Sequence, residues 1–182
     1  MKTYPPQNRV NIDNIKLVLG LLCGWELGKE FRRFLQEHFN LSEVIKFDIP
    51  HHPAHTFDVY TKSGIESVEL DEIGQYISEA CSYCWDMTSE FADISVGSGR
   101  AMFKGWNTVI VRTKAGAELI DIARAKKALE TQPIPVESVE NLKRASLTKK
   151  KRALDNIIAQ TGDNKNLLYL GLSDNLVNKL LA

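Results

Sequence analysis

The segment from 80 to 113 constrains this chain most, because it joins a metal-binding type of motif to a glycine-rich turn. Cys81 and Cys84 form a CxxC pair, and Asp86 follows two residues later. A strand-like ADISV stretch then leads into the glycines, and a β-branched TVIVR run comes after them. This order predicts an inorganic centre beside a bound organic cofactor.

Composition and charge exclude several classes of protein. The formal net charge of the 182 residues is zero, whereas a general nucleic-acid-binding protein carries a strong basic excess, so we predict no nucleic-acid partner. The longest apolar run, Leu17–Trp25, is far shorter than the roughly 20 residues of a membrane span, so we predict none. No secretory signal is evident, and three cysteines fit no closed disulfide framework. We therefore expect a cytoplasmic protein whose cysteines serve a metal or a redox reaction.

The first half of the chain predicts the opening of an α/β unit. A continuous apolar run at Lys16–Cys23 is typical of a strand covered on both faces, and Glu26–Phe39 then has the period of an amphipathic helix. Alternating segments predict three further strands, at Val44–Ile49, Thr56–Thr61 and Ile65–Leu70. Asp71 is predicted to cap the helix that follows.

The second half predicts one more strand and three helices. The run Thr108–Arg112 has the β-branched character of a fully buried strand. Helices are predicted from Ala115, over Val136–Gln160, and after a capping Ser173. The fold class is therefore α/β, with α+β as the alternative: a mixed sheet, flanking helices and a C-terminal helical tail.

Three segments follow from this pattern: a flexible leader at 1–13, a domain at 14–132 and the helical tail at 133–182. Within the tail, Lys143–Arg152 contains six basic residues in ten. We interpret this run as the solvated face of a helix, and the alternative is a landing site for a polyanionic ligand or a partner subunit.

A CxxC pair directs two sulfur atoms to one metal ion or iron–sulfur cluster. The pair alone leaves a redox dithiol, half a zinc site and half a cluster site open. Cys23 ends the first predicted strand and can supply a third ligand, although a small apolar core residue explains its position equally well. A closed site needs a fourth ligand, and the chain has no fourth cysteine.

The histidines of the loop 51–55 are a second candidate for metal ligation. His51, His52 and His55 lie between two predicted strands, without cysteines or acidic residues beside them. An exposed hairpin loop is the interpretation we favour.

The glycine-rich turn between the last two predicted strands carries Gly97, Gly99 and Gly105. Glycines allow the backbone to approach a phosphate or a flat ring, and a cationic side chain such as Arg112 can meet an anionic cofactor. The spacing does not match a dinucleotide-binding fingerprint, so an ordinary loop and a surface ion pair stay open.

The order of these motifs along the chain is a more specific signal than any one of them alone. The order KLVLGLLC, KFDI, CSYCWDMTSEFADISVG and GWNTVIVRT, followed by GAEL, resembles the C-terminal part of the family of coenzyme F420 hydrogenase/dehydrogenase beta subunits. The resemblance covers roughly residues 15–125 and is looser through the Lys-rich helix.

The resemblance implies an oxidoreductase component that carries FAD and a 4Fe-4S cluster. Such proteins move electrons between an iron–sulfur partner and a deazaflavin such as coenzyme F420. It implies that Cys23, Cys81 and Cys84 are cluster ligands. It also implies that the flavin environment includes Gly97, Gly99, Gly105, Trp106, Asn107, Thr108 and Arg112.

One departure from the family is expected to limit autonomous activity. Family members have a long N-terminal half with further cysteines, and this sequence starts just before the second half. We therefore expect the chain to need that N-terminal half as a partner, which leaves its status as an enzyme open.

The alternative is a non-enzymatic interaction or remnant domain with a zinc or empty cysteine site. A thioredoxin-type dithiol oxidoreductase is a third hypothesis, disfavoured because the CxxC lacks a βαβ context.

Overall fold

The computed structural model describes residues 14–50, 54–98 and 105–181. The strands are β1 (Leu19–Leu21), β2 (Val44–Asp48), β3 (Thr56–Thr61), β4 (Ile65–Glu69), β5 (Ile94–Ser98) and β6 (Asn107–Val111). The helices are α1 (Lys29–His38), α2 (Leu70–Ile73), α3 (Ala80–Tyr83), α4 (Lys114–Ala125), α5 (Val136–Thr161) and α6 (Asp174–Leu181). A 3₁₀ turn, Gly74–Tyr76, follows α2.

The chain divides into two compact units. The described residues of the first unit are 14–23, 83–98 and 107–181, and those of the second are 24–50, 54–82 and 105–106. The leader predicted at 1–13 lies outside the described residues, and the predicted boundary near residue 132 stays a prediction.

The first unit contains a mixed three-stranded sheet in which β5 lies between the other two strands. β1 runs parallel to β5, and β6 runs antiparallel to it, so Leu19, Ile94 and Val111 lie side by side on one face. Only the central member is buried: Leu19 is 65% exposed and Val111 is 39% exposed. The prediction that β1 and β6 are buried on both faces is wrong, because each forms an edge of the sheet.

The first unit is completed by the helical tail, whose core lies between α5 and the segment that follows it. Leu154 and Ile157 of α5 pack with Leu167 and with Val177 of α6. The last helix begins as predicted, since the Ser173 hydroxyl oxygen accepts a hydrogen bond from the Leu176 N–H.

The second unit is an antiparallel meander, β2–β3–β4, packed with α1. The ring of Phe31 on α1 meets Phe57 of β3 edge-on, with 5.1 Å between ring centres. The helix after β4 differs from its prediction: Glu69 is its N-cap and Asp71 lies inside its first turn. Asp71 is not the N-cap because it lies within the helix, and its carboxylate accepts a hydrogen bond from His55.

The two units together confirm the predicted class. The sheet of the first unit is mixed, helices flank the sheets, and a helical tail ends the chain.

Candidate functional site

Cys23 lies just beyond the carboxyl end of β1, in the first unit. The Leu22 N–H donates to Val96 O, and the Cys23 N–H donates to Met87 O, each at 2.8 Å. β1 can approach the loop around Met87 because residue 20 is glycine: a Cβ there would lie 2.2 Å from the Cβ of Ser89. Cys23 is therefore held beside the loop that follows Cys84.

Cys84 begins that loop, which Asp86 closes. The carboxylate of Asp86 accepts hydrogen bonds from the backbone N–H groups of Thr88 and Glu90, each at 3.0 Å. The thiol of Cys84 lies 3.5 Å from the carbonyl oxygen of Asp86, to which it donates. Asp86 and Glu90 thus organise the loop, and no acid/base pair is needed to explain them.

Cys81 lies in the second unit, in α3. Its sulfur accepts a hydrogen bond from the Glu26 N–H at 3.2 Å. None of the three cysteines forms a disulfide.

Within the ranges 14–50, 54–98 and 105–181, no three His, Cys, Asp or Glu side chains converge to hold a metal ion. The described residues therefore do not complete a metal site by themselves. The assignment of Cys23, Cys81 and Cys84 as ligands stays a prediction.

Three side chains of the tail contact the cysteine-bearing segments of the first unit, and sequence reasoning missed them. Lys149 donates from Nζ to the carbonyl oxygen of Cys23 at 2.7 Å. The ammonium of Lys150 lies 4.2 Å above the ring centre of Trp85 and 2.5 Å from a carboxylate oxygen of Glu90. The Tyr169 hydroxyl donates to the carbonyl of Tyr83 and accepts from the N–H of Trp85.

The interpretation of 143–152 as a solvated face is therefore wrong for Lys149, which is only 5% exposed. A signal was available in the sequence, because Lys149 precedes the buried Ala153 and Ile157 by four and eight residues. That spacing places all three on one face of a helix.

The residues predicted around a flavin are distributed over both units. Gly97 is required by packing in the first unit, since a Cβ there would lie 2.5 Å from the side chain of Leu22. Gly99 lies outside the described residues. Gly105 has a φ of 85°, a left-handed conformation that favours glycine.

The remaining predicted flavin residues lie at β6 or just before it. Trp106 is 38% exposed, and Asn107 pairs with Ser98 at the start of β6. The Thr108 hydroxyl lies 3.5 Å from the carbonyl oxygen of Ser98. Thr108 also lines a groove of about 630 Å³ between β6 and the first half of α5, whose walls are mostly apolar.

Arg112 follows β6, and its guanidinium bonds to the first unit itself. It donates to the Ser95 hydroxyl at 2.7 Å and to both the carbonyl and the hydroxyl oxygens of Thr88, at 3.0 and 3.1 Å. These contacts give Arg112 a structural role. Its assignment to a flavin, like that of the other six residues, stays a prediction.

Of the three loop histidines, His51 and His52 lie outside the described residues. The Nε2 of His55 is 2.9 Å from a carboxylate oxygen of Asp71. This hydrogen bond raises the pKa of His55. Asp71 is thus an acidic neighbour that the sequence places 16 residues away.

Residues 1–137 match the family described as the C terminus of the beta subunit of coenzyme F420 hydrogenase/dehydrogenase. The chain belongs to this family. The resemblance seen in the motifs is confirmed, and the match ends just inside α5.

Several curated proteins are similar to the chain. It is 34% identical over 128 residues to a subunit of the F(420)H(2) dehydrogenase of Methanosarcina mazei, covering 68% of this chain and 36% of that protein. It is 34% identical over 166 residues to the beta subunit of the coenzyme F420 hydrogenase of Methanothermobacter thermautotrophicus, covering 87% and 57%. The chain thus spans about a third to three fifths of the length of these relatives.

A solved structure is also similar: a chain of the F420-reducing NiFe hydrogenase complex from Methanosarcina barkeri. It aligns with a TM-score of 0.65 and 29% identity, covering 78% of this chain and 49% of that one. That similar chain is part of a multi-subunit complex.

In the described part of the present chain, none of the helices is long and apolar enough for a membrane span.

Proposed function

We propose that this chain acts in electron transfer between an iron–sulfur partner and a deazaflavin such as coenzyme F420, as the C-terminal portion of a beta subunit. Membership of the family over residues 1–137 supports this proposal. Relatives named as an F(420)H(2) dehydrogenase subunit and a coenzyme F420 hydrogenase subunit support this deazaflavin, in its reduced or oxidised form, as the redox partner.

In this proposal the assembled protein carries FAD and a 4Fe-4S cluster, which supply hydride transfer and single-electron transfer. Cys23, Cys81 and Cys84 are three of the cluster ligands. The fourth ligand comes from the portion of the family's beta subunit that this chain does not span. That portion also completes the flavin environment.

Production under anaerobic conditions with iron and sulfide tests the proposal. The chain is co-expressed with the N-terminal portion of a beta subunit of the family as a second polypeptide. We expect about four iron atoms and as many acid-labile sulfides per complex, together with bound flavin. We also expect the complex to reduce a viologen dye with reduced coenzyme F420 as electron donor.

Substitution of each cysteine assigns the ligands. We expect Cys23→Ser, Cys81→Ser and Cys84→Ser each to lose most of the iron, and Ser82→Ala, next to Cys81, to retain it. A complex that contains zinc alone, or no metal, would contradict the proposal. Zinc that is lost on replacing His51, His52 and His55 by alanine would instead support the interaction or remnant domain.

A further inference from the structure

The C-terminal tail holds the backbone on both sides of Cys84. The Tyr169 hydroxyl donates to the carbonyl oxygen of Tyr83 at 2.7 Å and accepts from the Trp85 N–H at 3.1 Å. One hydroxyl group therefore pairs with the peptide groups of the residues before and after this cysteine. The Cys84 side chain is itself half-buried.

A second contact from the tail reaches Cys23. Lys149 is buried, and its ammonium donates to the Cys23 carbonyl oxygen at 2.7 Å. A buried ammonium is stable only where it is hydrogen-bonded, so this contact couples the conformation of α5 to that of the Cys23 segment. The fully buried Ala153 and Ile157, one and two turns further on, anchor this face of α5 in the unit.

Lys150, the next residue of α5, contacts the loop that follows Cys84 through two side chains of that loop, those of Trp85 and Glu90. Its ammonium lies over the ring of Trp85 and pairs with Glu90, whose N–H is bonded to the carboxylate of Asp86. Tyr169, Lys149 and Lys150 thus each contact one of the first unit's two cysteine-bearing segments.

We propose that Tyr169 and Lys149 are positioning residues through which the tail fixes the backbone at Cys84 and Cys23. Both lie beyond residue 137, where the family match ends. The consequence that the tail prepares these cysteines to bind a cluster rests on the function proposed above. The positioning itself does not, because it concerns the chain without any cofactor.

Thiol reactivity of the reduced, metal-free chain tests the contact of Tyr169. Cys84 and Cys81 are alkylated with N-ethylmaleimide, and the rate at each site is followed by peptide mass spectrometry. Loss of hydrogen bonds to two backbone groups should favour opening of the loop, so Tyr169→Phe is expected to raise the Cys84 rate about three- to tenfold. Cys81, bonded to Glu26 in the second unit, is expected to change less than about twofold.

Tyr60→Phe in the second unit is the matched control, and we expect it to leave the Cys84 rate unchanged. An unchanged Cys84 rate in Tyr169→Phe would overturn the proposal. So would an equal rise at Cys81, because it would show general loosening instead of a local effect. Tyr169 is 64% exposed, so its replacement by phenylalanine is compatible with folding.

Amide hydrogen exchange at Cys23 tests the contact of Lys149, because that N–H donates to Met87 O. We expect faster exchange at Cys23 in Lys149→Met and recovery of most of the protection in Lys149→Arg, which keeps a cationic donor. Equal exchange in both variants would contradict a role for the hydrogen bond. If Lys149→Met does not fold, Lys149→Ala takes its place. Slower exchange at Cys23 in Lys149→Arg than in Lys149→Ala would support the role of the hydrogen bond, and equal exchange would contradict it.

Iron loading separates this proposal from the proposed function. If the unmodified complex takes up iron and Tyr169→Phe takes up less, both proposals are supported. If the unmodified complex takes up none, the proposed function fails, and the alkylation rates still decide whether Tyr169 positions Cys84.

Discussion

Arg112 bonds to two residues with little contact with solvent, and this makes its guanidinium important for stability. Ser95 is fully buried and Thr88 is 7% exposed. The planar guanidinium reaches both of them at once, through Nη1 to Ser95 and through Nη2 to Thr88. A lysine ammonium lacks this fork geometry and cannot replace the whole arrangement.

We therefore expect Arg112→Met to lower the free energy of unfolding of the chain without cofactor by about 1.5–3 kcal/mol, the range for hydrogen bonds to a charged group. Chemical denaturation measures this change. Arg124→Met is the control, because the side chain of Arg124 on α4 makes an exposed ion pair with Asp121, and we expect a change below about 0.5 kcal/mol. Equal stability of Arg112→Met and the unmodified chain would show that Arg112 has no structural role.

Residue patterns predicted where the cysteines lie but not which side chains meet them. The apolar run placed Cys23 at the end of a strand, and in the structure Cys23 lies two residues beyond the end of β1. The contact of Lys149 with Cys23 joins residues 126 positions apart, and that of Tyr169 with Tyr83 joins residues 86 apart. Such contacts depend on how helices pack in three dimensions, and periodicity in one sequence does not record this.

At the level of single elements, β1 and the loop after Cys84 depend on a glycine. A Cβ at residue 20 would lie 2.2 Å from the Cβ of Ser89 and 2.9 Å from that of Ala92. Ser89 itself has a φ of 52°, and its hydroxyl donates to the carbonyl oxygen of Leu21. Neither side of this contact can move without breaking hydrogen bonds.

Gly20→Ala is accordingly expected to cost about 1–3 kcal/mol in the free energy of unfolding, as overpacking does in other well-packed sites. Gly24→Ala is a matched control four residues away, since a Cβ there meets no atom within 4 Å. We expect the control to stay within about 0.5 kcal/mol of the unmodified chain. Thermal or chemical denaturation of the two variants compares them, and a Gly20→Ala variant no less stable than Gly24→Ala would refute this account.

Elements with clear periodicity were predicted well, and the strand predicted from the apolar run at Lys16–Cys23 was not. The strand at Thr56–Thr61 has the predicted bounds, and α5 ends one residue beyond its prediction. The strand predicted at Lys16–Cys23 shrinks to three residues, because only Leu19–Leu21 pair with β5. Apolar composition alone does not show whether a partner strand is present along the whole run.

On the scale of the whole chain, each unit has its own hydrophobic core. The core of the second unit includes Phe57 and Ile73, and that of the tail includes Leu154 and Ile157. No single stretch of sequence marks this division, because the first unit combines a short N-terminal segment with residues after 82. The tail after residue 132 belongs to the same unit as β1 and β5. The boundary near residue 132, which the change in composition predicted, stays a prediction.

Because the two cores are separate, damage to one is expected to act first on its own unit. We expect Phe57→Ala, which removes a buried ring at a cost of about 3–5 kcal/mol, to speed amide exchange in β2, β3 and β4 more than in α5. Leu154→Ala, at about 2–5 kcal/mol, should show the opposite order.

Hydrogen exchange with mass spectrometry measures both patterns in the same experiment. Phe91→Ala and Leu147→Ala are controls of the same residue types, since these side chains are 98% and 55% exposed, and we expect little change in either unit. If Phe57→Ala and Leu154→Ala each loosened both units equally, the chain would unfold as one cooperative body, and the separation of its cores would have no energetic consequence.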